Sequence, residues 1–190
     1  IVKLNGIGLN VRCTVCDQGP TNVTALKLLG YTCDSPLFHH PVTQNKIHVI
    51  FDVPHLVKNV RNNLRRHDIK TDTESVISWK HIEKLYDVDS SNSIRLTHKL
   101  KKAHLNPIGQ QSMRVRLATQ VFSHSVAASL STCIEAQLLP PEAIHTADFV
   151  SKIDTLFDIL NSRKRYADKK QRCAIINSST DGSLLKQLTD

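Results

Sequence analysis

The sequence has little punctuation. Six Gly and seven Pro in 190 residues exclude a loop-rich or collagenous chain. It lacks any long apolar run, and the mean hydropathy is -0.24, so a transmembrane helix is excluded. No basic-then-apolar leader opens it. There is no Walker A loop, no GxGxxG and no guanine-reading Asn-Lys-x-Asp; Asn45-Lys46-Ile47-His48 fails at its last position. Cysteine is present but odd in number: Cys13, Cys16, Cys33, Cys133 and Cys173. That count argues against a secreted disulfide framework and for a reducing compartment.

Acidic charge is the minority. Lys+Arg number 25 against 17 Asp+Glu, a formal net charge of +8. Such a balance favours polyanionic partners, nucleic acid first. The excess is even: residues 1–68 carry eight Lys/Arg and four Asp/Glu, which leaves +4 for each part of the chain. Neither is a basic tail. The length suits one large domain or two small ones, with a core that needs no disulfides. The chain opens on Ile1 rather than Met, and we read it as a fragment of a longer protein.

Residues 9–17, LNVRCTVCD, alternate with period two and predict a strand, with Leu9, Val11, Cys13 and Val15 on one face. The Gly19-Pro20 turn follows, then a helix capped by Thr21 or Asn22 and closed by Gly30. Residues 31–45, with Pro36 and Pro41, read as a loop. A second strand is expected over 47–51, ending at Asp52. Pro54 then begins a helix bearing Leu56, Val57, Val60 and Leu64. The result is strand–helix–strand–helix, an α/β unit with an aspartate at the carboxyl end of each strand. Open sheets place their chemistry at that edge.

From about residue 68 the pattern turns helical. Trp79, Ile82, Leu85 and Tyr86 predict one helix. Residues 111–138 form the longest periodic stretch, ended by Pro140-Pro141. Val150, Ile153, Phe157 and Leu160 make another stripe, and the charged run 163–172 reads as a loop. The fold class is therefore α/β followed by all-α.

Each candidate site has an ordinary alternative. Cys13-x-x-Cys16 could begin a zinc site with Cys33, His39 or His40. Strand residues three apart point to opposite faces, which favours buried cysteines and no zinc. Asp17 is either a ligand for a divalent metal or a turn and cap aspartate. Asp52 can cap the helix that carries His55. His55, Lys58, Arg61 and Arg65 share a helix side that contacts phosphates or is simply solvated. Phe157, Asp158 and Asn161 cluster at helical spacing. They could stack on a purine and read guanine N1–H and N2–H, or belong to core and surface respectively.

Four segments go further than pattern: CDQGPTNVTALKLLG (16–30), FDVPHLVKNVRNNL (51–64), MRVRLATQVFSHSVAASL (113–130) and FDILNSR (157–163). In this order they resemble the P-element transposase family, THAP9-like transposases included, over nearly the whole chain. That family has a THAP zinc finger, a coiled coil and an RNase H-like catalytic domain interrupted by a helical GTP-binding insertion. The resemblance implies that residues 1–68 are part of the RNase H-like domain. Residues 69–190 would be the insertion, incomplete at its C-terminal end. The finger, the first catalytic strand and the returning helix would lie outside the chain.

By the same resemblance Asp17 is the second catalytic acid, a ligand of two Mg²⁺ ions that activate water and then a DNA 3′-hydroxyl. The fragment alone would be inactive. Phe157, Asp158 and Asn161 fall on guanine-contacting positions, and Lys99 and Val115 on two further positions of a pocket for GTP, a cofactor that is not hydrolysed. Asp52 and His55 take a structural role. Transposon-end DNA, a homo-oligomer of the full-length protein, and the nucleus are the implied partners and setting, with no membrane. The alternative is a domesticated DNA- or protein-binding derivative without cleavage.

Overall fold

The computed structural model describes residues 1–71 and 75–162. The charged run 163–172 and Cys173 lie outside the described residues. Chain packing divides between Leu56 and Val57 into two compact units. The division falls inside a helix, ahead of the change of character read at residue 68, because Val57 and Leu64 already belong to the helical core.

The first unit holds α1 (Val2–Gly6), β1 (Cys13–Cys16), α2 (Pro20–Leu28), β2 (Leu37–His39) and β3 (Lys46–Phe51). β1 and β3 pair in parallel, with Cys16 opposite Phe51, through the expected strand–helix–strand connection. Pro20 sets the first turn of α2 and Gly19 caps it, so the helix starts earlier than Thr21 or Asn22. Gly30, at φ 95°, ends the helix. Tyr31 N donates to Leu26 O and Gly30 N to Lys27 O, a Schellman closure that needs the left-handed backbone.

The structure corrects two expectations. Residues 31–45 contain β2, which pairs antiparallel with the far edge of β3 in the order β1-β3-β2. The β1 cysteines, read as buried, are also not so: Cys13 is exposed and Cys16 half-buried. Thr14 and Cys16 turn inward, while Cys13 and Val15 are exposed. The core of this unit is Leu26, Phe38, Ile47 and Val49, and Cys16 packs against it. The strand keeps the expected period of two.

α3 (Val53–Leu64) runs from one unit into the other, with Pro54 in its first turn as expected. The second unit continues with a short antiparallel pair, β4 (Ile69–Lys70) and β5 (Val76–Ile77). Then come α4 (Trp79–Ser90), α5 (Lys102–Leu105), a 3₁₀ turn (Gly109–Met113), α6 (Val115–Val121), α7 (His124–Glu135) and α8 (Ala143–Leu160).

The long stretch 111–138 is thus broken. Phe122 leaves helical geometry at ψ 67° and Ser123 is extended at the start of α7. The break lets Phe122 enter the core and meet Phe149 edge-on, ring centroids 6.0 Å apart. Ile82, Leu85, Leu130 and Val150 are fully buried around it. Ala127, Ala143 and Ala147 leave room for α7 to pack closely on α8.

Three charged side chains, Lys58, Arg61 and Asp89, lie inside this unit. Arg61 is fully buried; its Nε donates to Asn62 Oδ1 at 2.9 Å and its Nη2 to Ser112 O at 2.8 Å. Burial, and then the charge of Arg65, lower its pKa. Lys58 is buried as well, so the basic side of α3 is not simply a solvated face. Asp89, at 1% exposure, accepts from Leu96 N (2.6 Å), Thr97 Oγ1 (2.6 Å), Thr97 N (3.2 Å) and Arg95 Nε (3.2 Å). Burial alone would raise its pKa; these bonds outweigh that and lower it. Among the described residues no helix is long and apolar enough to cross a membrane.

Candidate functional site

Asp17 stands one residue beyond β1, and Asp52 one residue beyond β3. Because Cys16 faces Phe51 in a parallel register, and Asp52 N donates to Cys16 O at 2.9 Å, the two aspartates are neighbours at the carboxyl edge of the sheet. Asp17 is exposed. Its Oδ1 accepts from Gly19 N at 2.9 Å and from Asn22 Nδ2 at 2.7 Å. A Cβ on Gly19 would lie 2.9 Å from that same oxygen. The turn and cap role is therefore real, and it also fixes where the carboxylate points. Burial and the charge of Asp17 raise the Cys16 pKa, so this sulfur stays a thiol beside the acid.

Asp52 caps α3. Its Oδ2 accepts from His55 N at 3.1 Å and meets His55 Nδ1 at 2.5 Å. The side-chain bond from His55 is the main reason its pKa is lowered. Burial opposes it, and the charge of Asp17 opposes it weakly. His40, a possible zinc partner by sequence, is buried, and its Nδ1 accepts from Val42 N and Thr43 N in a tight turn.

Asp17 and Asp52 offer hard oxygen donors, and Mg²⁺ takes one or two carboxylates together with water and phosphate oxygens. By donor type they suit such an ion. No group of three or more potential ligands occurs among the described residues, so a two-metal site would need acids from elsewhere.

The guanine candidates share the last turn of α8. Phe157 is half-buried and packs against the helical core; Asp158 is half-buried; Asn161 is the exposed C-cap, its N donating to Phe157 O at 2.9 Å. A helix C-terminus carries partial negative charge, which suits the N–H donors of a guanine edge. Lys99 is exposed between α4 and α5, two residues beyond the Thr97 that Asp89 holds. Val115 is the first residue of α6 and half-buried. His104 of α5 and Gln120 of α6 meet at 2.8 Å, which ties the segment after Lys99 to the helix that Val115 opens. The side-chain types are those that a guanine nucleotide would need: a ring to stack, a carboxylate to accept, an amine for phosphate.

Sequence reasoning misses Asp89, and it reads Arg61 as part of a basic helix side rather than as a buried side chain, although both carry a signal. Asp89 follows Ile82 by seven residues, and Arg61 stands between Val57 and Leu64. Both fall on apolar stripes, where a charged residue must be held by partners.

This combination, an acid-edged parallel pair followed by a helical unit, has known counterparts. The family model described as "TNP-like, GTP-binding insertion domain" matches residues 54–173. The transposable element P transposase of Drosophila melanogaster is 30% identical over 162 residues, covering 85% of this chain and 21% of that protein. The DNA transposase THAP9 of Homo sapiens is 30% identical over 175 residues, covering 87% of this chain and 19% of that protein. The solved Drosophila P element transposase strand transfer complex matches with a TM-score of 0.86 at 26% identity, over 98% of this chain and 42% of that one. The chain belongs to the TNP-like, GTP-binding insertion domain family, with the P element transposase and THAP9 as homologues. It spans about a fifth of the length of these two curated relatives.

Proposed function

We propose that this chain is the portion of a cut-and-paste DNA transposase in which an RNase H-like catalytic fold passes into its GTP-binding insertion. The observation that carries the reading is Asp17, fixed at the carboxyl edge of the parallel β1–β3 pair in a chain of this family. Asp17 acts as one carboxylate ligand of Mg²⁺, and Asp52 with His55 supports the same edge. Bound Mg²⁺ supplies Lewis-acid activation of water and of a DNA 3′-hydroxyl for in-line attack on a phosphodiester. Gly19 N and Asn22 hold the carboxylate in place before the ion arrives, which spares reorganisation during the reaction. With one edge acid and its neighbour, the chain alone does not cleave DNA.

On α8, Phe157 stacks on guanine, Asp158 accepts from N1–H and N2–H, and Asn161 supports them. Lys99 meets phosphate, and Val115 lines the pocket. GTP serves as a cofactor that is not hydrolysed. The full-length protein works as a homo-oligomer on transposon-end DNA in the nucleus.

The test is Asp17→Asn in the full-length protein. Strand cleavage should be lost while transposon-end binding stays near normal. In the 190-residue chain the same change should abolish Mn²⁺-induced broadening of the Gly19 amide resonance. Full cleavage by the variant would refute the assignment.

A further inference from the structure

The second unit contains a cleft that neither the acid edge nor the α8 trio uses. It has a volume of about 270 Å³ and lies between the end of α3 and the start of α4. Arg65, Arg66, His67 and Lys80 line it, with Asp68, Glu83, Leu64 and Trp79. Three features, all centred on Trp79, mark it as an anion site. First, it holds buried donors without partners. Trp79 is 5% exposed, and both its indole Nε1 and the Nε of Arg65 are buried with no hydrogen bond among the described residues. Leaving such groups unsatisfied is costly, and an acceptor oxygen that reached them would remove that cost.

Second, the first turn of the twelve-residue α4, Trp79 and Lys80, borders the cleft. A helix N-terminus presents partial positive charge to an anion. That turn is locked in place: buried Thr146 Oγ1 accepts from Ser78 N at 3.1 Å and pairs with His81 Nδ1 at 2.8 Å. Third, the Arg65 guanidinium stands over the Trp79 ring at 6.0 Å, so the cation is preorganised by stacking.

The two carboxylates decide what kind of anion fits. Arg65, Arg66 and Lys80 against Asp68 and Glu83 leave one net positive charge among the Lys, Arg, Asp and Glu side chains of the lining. A triphosphate brings several negative charges against that single positive one; a phosphodiester brings one and balances it. We infer that this cleft binds a phosphodiester of a nucleic-acid backbone, at a place separate from the catalytic edge and from the guanine-reading helix. Such an interaction sets the position of the duplex and carries no sequence information.

Trp79 is the one tryptophan in the sequence, so its emission reports directly on the cleft. The 190-residue chain is titrated at low salt with a short DNA duplex, with inorganic phosphate and with GTP. The duplex should change Trp79 emission saturably; phosphate and GTP at the same concentration should not. Arg66 and Lys80 are both exposed, so the double variant Arg66→Ala/Lys80→Ala should keep the fold. It should bind the duplex roughly tenfold or more weakly. The slope of log K against log salt should become shallower by about 0.9 for each phosphate that the variant no longer neutralises. Lys80→Glu should act in the same direction and serves if the double variant does not fold. Saturation by inorganic phosphate with DNA silent would overturn the backbone assignment. Unchanged emission with all three, or variants with wild-type affinity and slope, would overturn the site itself.

Discussion

Replacing Asp89 tests whether the segment that presents Lys99 is held by one buried carboxylate. Four donors converge on it: two backbone N–H groups, the Thr97 hydroxyl and Arg95 Nε. A hydrogen bond to a charged group contributes about 1.5–3 kcal/mol. Four such values cannot be summed, because donors freed together recover water as the loop opens. The better reference is removal of one member of a buried charged network, about 3–5 kcal/mol. Asp89→Ala should therefore lose about 3–5 kcal/mol. Asp89→Asn keeps one acceptor oxygen but turns an NH₂ toward the remaining donors, and should lose about 2–3 kcal/mol. Urea unfolding followed by Trp79 emission measures both in the second unit. Calorimetry should show weaker GTP binding by the Asn variant, since Lys99 follows Thr97 by two residues. A loss below about 1 kcal/mol for Asp89→Ala would refute the reasoning.

The same residue fixes an acid limit. Its folded pKa is lowered, so its contribution is complete above the unfolded value of about 3.9. That contribution is lost as pH falls through the lower folded value. Urea midpoints measured from pH 6 downward should drop in that range for the wild type, and less for Asp89→Asn. Asp158→Asn should weaken GTP and favour XTP by roughly one to two decades in relative affinity, because xanthine presents a carbonyl where guanine has N2. An unchanged GTP/XTP ratio by calorimetry would exclude Asp158 from base reading. Arg61→Met should stay within about 1 kcal/mol of wild type, since it removes a buried cation that has no carboxylate partner among the described residues. Arg61→Ala adds a cavity and should lose about 2–4 kcal/mol in chemical denaturation.

The parallel pair, Pro54 at the start of α3, the apolar stripe of α4 and the helix through Val150 are legible in the sequence because each is local and periodic. β2 is not, since three residues between Pro36 and Pro41 carry no period of their own; only pairing with β3 makes them a strand. The inward face of β1 is ambiguous because both faces carry apolar or neutral residues, and its neighbours decide between them. The break at Phe122 comes from a core that wants that ring, a tertiary demand absent from the helical pattern. At the site, Asp17 is legible as an acid at a strand end. That Asp52 lies beside it depends on the β1–β3 register, which sequence spacing does not supply.

Gly19 has no functional group, yet it occupies the space against which the Asp17 carboxylate rests. Its φ is -57°, so any residue can adopt its backbone and a substitution there carries little folding cost. The Cβ would displace the far end of Asp17 instead. In a population of variants, changes at this position would pass every screen for solubility and thermal stability while silencing the acid next to it. With Asp17 as the proposed ligand, tolerance of the fold and tolerance of the chemistry would part company at a single glycine, and a genetic map of inactive alleles would mark a residue with no functional group of its own.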